Sequence, residues 1–97
     1  MVSNTPLIEA RRVIDTEIQG LEHLKKSLGQ AFEESVRLLS NCRGRVIFTG
    51  MGKSGHIATK IAATFASTGT PAFFVHPAEA SHGDLGGITK NDCILCL

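Results

Sequence analysis

The sequence predicts an α/β fold in which N-terminal helices precede a parallel sheet. Apolar residues in roughly the first forty positions recur at helical spacing. Short runs rich in β-branched and aromatic residues follow, separated by one helical segment and by loops. The order strand, helix, strand, short crossover and strand is typical of a parallel sheet.

Two helices are predicted in the N-terminal part, at residues 6–26 and 28–41. Pro6 suits the first turn of a helix, where its missing N–H would have no partner. Ser27 and Gln30 have the spacing of a capping box, which predicts that Ser27 begins the second helix. An apolar stripe runs along this region at Leu7, Ala10, Ile14, Leu21, Leu24 and Leu28. The stripe could pack on its own domain or on another subunit.

Three strands are predicted, at residues 45–49, 72–75 and 93–97. A helix is expected over residues 53–67, and a loop with one helical turn is expected over residues 76–89. The chain stops inside the third strand, whereas a parallel sheet needs cover on both faces. We therefore expect the sequence to be the front part of a larger domain.

Composition limits the classes of function. The chain has 97 residues, of which 42% are hydrophobic and 20% charged, and this indicates one small globular domain. The formal net charge is +1, and no basic run or aromatic platform is present, so no nucleic-acid partner is expected. No apolar stretch reaches the roughly 20 residues that span a membrane, and the N-terminus does not resemble a signal peptide. We expect no membrane partner and a cytoplasmic location.

The cysteine pattern argues against a disulfide framework, because three cysteines is an odd number. Cys93 and Cys96 have C-x-x-C spacing, but they fall in a predicted strand, where positions three apart point to opposite faces. We expect them to be thiols of the core or of a partner-facing surface.

A glycine-rich turn, GMGKSGH at residues 50–56, follows the first predicted strand and opens the next helix. Backbone N–H groups at a helix N-terminus favour an anion, and Gly52 and Gly55 would let the backbone approach it. Lys53 adds a charge and Ser54 adds a hydroxyl. A tight turn without any ligand is the alternative interpretation.

Three ligands compete for this turn. A nucleotide-triphosphate loop needs a glycine at position 47, where the chain has Ile47, so that interpretation fails. A dinucleotide fold favours an acid at the end of the second strand, but that strand ends at His76 and Glu79 comes later. A sugar phosphate held by serines, backbone amides and a lysine is the third candidate.

The loop HPAEASHGDLG, residues 76–86, contains two histidines, one glutamate and one aspartate. This loop and the glycine turn both leave the carboxyl ends of parallel strands, which is where open α/β sheets bind ligands. The sequence therefore predicts that Lys53 and His82 converge on one pocket.

The motif GMGKSGH together with ATFASTGTPAFFVHPAEASHGDLG closely resembles the sugar isomerase (SIS) domain of arabinose 5-phosphate isomerases. The resemblance covers residues 44–97 and extends more loosely through the N-terminal helices. It implies a SIS-like, flavodoxin-type α/β fold: a parallel sheet in three layers, truncated after the third strand. The helical lead-in would span residues 5–43, and the strand–helix–strand–strand core residues 45–97.

The resemblance also implies an activity and site residues. These isomerases interconvert D-ribulose 5-phosphate and D-arabinose 5-phosphate on the route to Kdo and lipopolysaccharide. They require no cofactor. They assemble as homo-oligomers, which are tetramers in the family. Lys53 and His82 match catalytic positions, and His82 also contacts substrate. Gly69 and Thr70 match a substrate-contacting pair, and Gly52, Ser54 and Gly55 belong to the binding turn. His76 matches a zinc-ligand histidine, so zinc is the metal that the resemblance suggests.

A serine-rich phosphate loop and the general-base glutamate of the family are implied to lie beyond residue 97, as are the paired CBS domains. We therefore expect this chain alone to be inactive. Two alternatives stay open. One is a non-catalytic sugar-phosphate-binding or oligomerising fragment, and the other is a dinucleotide-binding half-domain.

Overall fold

The structure is a computed structural model that describes residues 5–81 and 83–97, without the side chains at positions 84 and 85. Its helices are α1 (Pro6–Ser27), α2 (Gln30–Ser40), α3 (Gly52–Ser67) and α4 (Pro77–Ala80), with a 3₁₀ turn at Asp84–Gly87. Its strands are β1 (Val46–Thr49), β2 (Ala72–Phe74) and β3 (Cys93–Cys96). The chain divides into two compact units, Met1–Ser35 and Val36–Leu97.

The first unit consists mainly of α1, which begins with a side-chain cap at Thr5. The Thr5 hydroxyl accepts a hydrogen bond from the Ile8 N–H at 3.2 Å, and Pro6 occupies the first turn. None of the residues in α1 is buried, and the apolar side chains of its stripe are exposed.

The capping-box prediction for Ser27 is wrong. Ser27 is the last residue of α1, and its hydroxyl donates to the Leu24 carbonyl at 2.7 Å. The backbone carbonyl of Gly29 accepts the N–H groups of Phe32 and Glu33, which makes Gly29 the residue that precedes the first turn of α2. Because Ser27 is still helical and Leu28 and Gly29 separate it from α2, Ser27 is not the N-cap of the second helix, which begins at Gln30.

The second unit contains a three-stranded sheet in the order β2-β1-β3, with both pairings parallel. Val46 of β1 lies opposite Ala72 of β2 and Cys93 of β3, so the three strands start level with one another. This arrangement confirms the predicted α/β class and its parallel sheet. The order is that of a flavodoxin-type fold.

The core lies between the sheet and α3. Val46 and Phe48 point to this face and contact Ala58 and Ala62, and all four are buried. The ring of Phe65 meets that of Phe48 edge to face, with centroids 5.0 Å apart. Each large apolar side chain that is fully buried in this way contributes about 1.5–3 kcal/mol to folding.

The segment between β2 and β3 is more structured than the sequence predicted. It holds two short elements, α4 and the 3₁₀ turn, where a loop with one helical turn was expected. In β3, Cys93 is half-buried and Cys96 is exposed, as alternation along a strand requires. No helix among the described residues has both the length and the apolar character needed to cross a membrane.

Candidate active site

The carboxyl edge of the sheet is fixed by hydrogen bonds between β1 and the residue that follows β2. The Thr49 hydroxyl donates to the Val75 carbonyl at 2.6 Å, and the Val75 N–H donates to the Phe48 carbonyl at 2.9 Å. These bonds hold the ends of two adjacent strands in register. The two segments that leave this edge, the glycine turn and the segment from His76, therefore start from fixed positions.

Each glycine of the turn meets a different physical requirement. Gly52 has a φ of 58°, in the left-handed region that glycine adopts without strain. Gly50 is buried, and a Cβ on it would lie 3.1 Å from the Leu97 carbonyl oxygen. Gly55 is also buried, and a Cβ there would lie 2.6 Å from the Gly50 carbonyl oxygen. The first strand and α3 can pack this closely only because both positions lack side chains.

The N-terminus of α3 is electrostatically suited to an anion. Met51 precedes the helix and offers it no capping side chain, and the first turn carries no acidic residue. Lys53 is exposed in that turn, and Ser54 beside it is half-buried. The positive end of the helix dipole and a lysine ammonium are thus adjacent, with no carboxylate in the same turn.

A concave pocket of about 250 Å³ lies at this edge, between the first two turns of α3 and the end of β2. It is lined by Gly52, Gly55, His56, Thr59, Phe74 and His76. The helical residues are spaced so that they share one face of α3. The pocket therefore brings the glycine turn and His76 together, as the sequence predicted for segments leaving the carboxyl edge.

His76 has a defined hydrogen bond. His76 precedes α4, and its Nδ1 accepts a hydrogen bond from the Ala78 N–H, with 3.1 Å between the two nitrogens. Its ring meets the Phe74 ring edge to face at 6.3 Å between centroids. Both contacts orient the imidazole at the wall of the pocket.

The described residues near His76 do not fit the zinc site that the resemblance suggests. Among the side chains that the structure describes, which exclude those of residues 82, 84 and 85, no three His, Cys, Asp or Glu come together in a way that would hold a metal ion. A zinc-bound histidine normally donates its second ring N–H to an acceptor, whereas the Nδ1 of His76 accepts a hydrogen bond itself.

Two predicted contacts lie at the opposite edge. Gly69 and Thr70 follow α3 and precede β2, so they stand at the amino ends of the strands, away from Lys53. Gly69 has a φ of 103°, and the Thr70 N–H donates to the Phe65 carbonyl at 2.9 Å. One copy of the second unit does not bring this pair to the pocket. His82 lies outside the described residues, and its convergence with Lys53 stays a prediction.

Three residues of the pocket were missed by the sequence interpretation: His56, Thr59 and Phe74. His56 belongs to the motif GMGKSGH, but it was not assigned a role in binding or catalysis. The pattern that would have identified it is helical spacing from Gly52, since positions 52, 55, 56 and 59 face the same way. Phe74 is the last residue of β2 and could have been placed at the same edge.

Known proteins are similar to this chain in sequence and in fold. Residues 38–97 match the SIS domain family. The chain is 54% identical over 87 residues to arabinose 5-phosphate isomerase KdsD of Yersinia pestis, covering 90% of this chain and 26% of that protein. It is 51% identical over 94 residues to arabinose 5-phosphate isomerase GutQ of Escherichia coli O6:H1 strain CFT073, covering 97% of this chain and 29% of that protein.

The solved structure of E. coli CFT073 c3406, a complex with arabinose 5-phosphate, has a TM-score of 0.83 and 46% sequence identity, covering 98% of this chain and 51% of that chain. This chain thus spans a little over a quarter of the curated relatives and about half of the solved one. The resemblance predicted from the motifs is confirmed. Because the family match covers more than half of its residues, the chain belongs to the SIS domain family, in which it is similar to arabinose 5-phosphate isomerases.

Proposed function

We propose that this chain supplies the Lys53 side of a site that interconverts D-arabinose 5-phosphate and D-ribulose 5-phosphate. The observation that carries the proposal is the uncapped N-terminus of α3, with the exposed Lys53 in its first turn, next in sequence to Gly52 of the pocket. Lys53 itself is not among the residues that line the pocket. Such a site attracts a phosphorylated sugar. The relatives named arabinose 5-phosphate isomerases support this choice among sugar phosphates.

The reaction requires a proton to move between two carbons. A base takes the proton from C2 of the open-chain aldose and returns it to C1, while O1 and O2 exchange carbonyl and hydroxyl character. Negative charge develops on the enediolate oxygens during this transfer. The Lys53 ammonium is assigned to stabilise that charge, together with N–H groups at the start of α3. His82 is assigned to donate to a sugar oxygen.

The base is assigned to residues outside this chain. Glu79 is exposed in α4 and is not assigned as the base. The general-base glutamate expected from the family falls beyond residue 97. We accordingly propose that the chain binds a pentose phosphate and turns it over only when joined to those residues, in the cytoplasm.

Assembly from several copies is part of the proposal. Gly69 and Thr70 stand at the far edge of the sheet, so any contact they make with substrate would be to a site on another copy. The exposed apolar side chains of α1 offer a surface for such an assembly. A homotetramer is the expected form, and light scattering after size exclusion would measure it.

A chimera tests the proposal. This chain would replace the matching N-terminal segment of the Yersinia pestis relative, with which it shares 54% identity over 87 residues. We expect the chimera to isomerise D-arabinose 5-phosphate and the 97-residue chain alone to bind it without turnover. A folded chimera that binds the sugar phosphate but never isomerises it would favour a non-catalytic binding function. Binding of NAD without any response to pentose phosphate would favour a dinucleotide site.

A further inference from the structure

His76 carries a hydrogen bond that determines which of its ring nitrogens holds the proton. Its Nδ1 lies 3.1 Å from the backbone nitrogen of Ala78, and a backbone N–H can only donate. The Nδ1 atom is therefore the acceptor and has no proton. In the neutral imidazole the proton then sits on Nε2, which becomes a donor.

The local backbone makes this arrangement persistent. His76 is the residue before α4, with extended φ and ψ of −69° and 135°, and its side chain acts as the cap. Pro77 has no N–H, so Ala78 provides the first N–H of α4 that needs an acceptor. The edge-to-face contact with Phe74 holds the ring from another side.

The other ring nitrogen is available to a ligand. Among the described residues, Nε2 of His76 has no hydrogen-bond partner, and His76 lines the pocket beside α3. A metal ion would need a lone pair on Nε2, and Nδ1 already uses its own lone pair for Ala78. Binding through Nε2 would leave the ring without a proton on either nitrogen or would break the cap.

We propose that His76 donates a hydrogen bond from Nε2–H to an oxygen of the bound sugar phosphate and does not act as a metal ligand. This assignment rests on the proposed function for its ligand. Hydroxyl, carbonyl and phosphate oxygens all accept such a bond. His76 thereby extends the binding site from the glycine turn to the end of β2.

Two substitutions separate the cap from the donor. Asparagine places a polar atom near the Nδ1 position and is itself a good N-cap, so H76N keeps the cap and loses the distant donor. Glutamine places an N–H near the Nε2 position, so H76Q keeps the donor and loses the cap. We expect H76N to melt at the wild-type temperature and bind D-arabinose 5-phosphate about 3- to 10-fold more weakly. H76Q should melt at a lower temperature and bind within about threefold of wild type.

Two further measurements do not depend on the sugar. In ¹⁵N spectra recorded under mildly alkaline conditions, in which imidazoles are neutral, His76 should show a protonated Nε2 and a bare Nδ1. Calorimetric titration with zinc alone should give the same affinity for wild type and for H76N. A protonated Nδ1, or zinc affinity at least tenfold lower in H76N, would overturn the assignment of His76.

The outcomes distinguish the two proposals. Equal sugar-phosphate affinity of H76N and wild type would overturn the role of His76 while leaving the proposed function standing. Failure of the wild-type chain to bind D-arabinose 5-phosphate would overturn the proposed function itself. In that case the nitrogen spectra and the zinc titration would still decide whether His76 is a donor or a metal ligand.

Discussion

A Cβ placed on Gly55 would stand 2.6 Å from the carbonyl oxygen of Gly50, well inside van der Waals contact. The two glycines are the first and last of the G-x-G-x-x-G spacing in the turn. Their contact brings the first turn of α3 against the end of β1. The motif thus determines packing between strand and helix as well as access for an anion.

Substituting Gly55 by alanine should destabilise the second unit. The added methyl group meets backbone that cannot move far, and overpacking of this kind costs about 1–3 kcal/mol. The free energy of unfolding from urea denaturation would measure the loss. Gly20 is a matched control, because it lies within α1 with nothing within 4 Å of an added Cβ. G20A should stabilise the helical conformation of α1 by about 0.5–1 kcal/mol. A neutral G55A would contradict the close packing.

The Asp92 carboxylate should make the free energy of unfolding depend on pH. Its carboxylate accepts N–H hydrogen bonds from Arg45 and from Thr89, each at 2.7 Å. The bond from the Arg45 N–H, followed by that from Thr89, lowers the pKa of the Asp92 carboxyl below its ordinary value of 3.8. The stability that the Asp92 carboxylate contributes is therefore fully present above pH 3.8, and it is lost as the pH falls through the lowered pKa.

The D92N variant measures this contribution. It should unfold at lower urea than wild type at neutral pH, and the difference should shrink as the solution is acidified below the ordinary carboxyl pKa. The exposed Asp15 on α1 provides the control, since D15N makes the same change of charge where no such hydrogen bonds exist among the described residues. A D92N difference that persisted unchanged in acid would contradict the account of the hydrogen bonds.

Cysteine reactivity should follow the alternation of β3. Cys96 is exposed, while Cys93 is half-buried, and a hydrogen bond with Cys42 and then burial raise the pKa of the Cys93 thiol. Because the thiolate is the nucleophile, limiting iodoacetamide should modify Cys96 several-fold faster than Cys93. Peptide mass spectrometry measures both rates, and the difference should vanish in denaturant. Faster modification of Cys93 would mean that β3 pairs one residue out of register.

The sequence predicted the fold well where periodicity was strong. The strands at Val46–Thr49 and Cys93–Cys96 and the helix at Gly52–Ser67 lie within one residue of the predicted bounds. In each of these segments the apolar period, the length and the flanking turn residues all indicate the same type of element, either a strand or a helix. The start of α2 was misplaced because a serine can cap the next helix or bond back to its own, and composition does not distinguish these cases.

The site was predicted only in part, for a geometric reason. The edge of the sheet follows from topology, and the glycine turn and His76 both lie there. Helical spacing from Gly52 identifies His56 only once the face of α3 that lines the pocket is known, and that face depends on how the helix packs. Gly69 and Thr70 were assigned to the substrate site through the family resemblance. A turn between a helix and the next parallel strand must, however, lie at the amino edge of the sheet.

The most direct test of the central claim compares two lysines of α3. Lys53 lies in the first turn of α3, at the carboxyl edge of the sheet, and Lys60 is exposed two turns further along the helix. K53M and K60M remove the same charge, and calorimetry would measure the binding of D-arabinose 5-phosphate. We predict that K53M binds about 10- to 100-fold more weakly, as expected for a lost charge-assisted contact, and that K60M binds like wild type. Unchanged binding by K53M, or equal losses in both variants, would contradict the claim that Lys53 and the glycine turn hold the sugar phosphate.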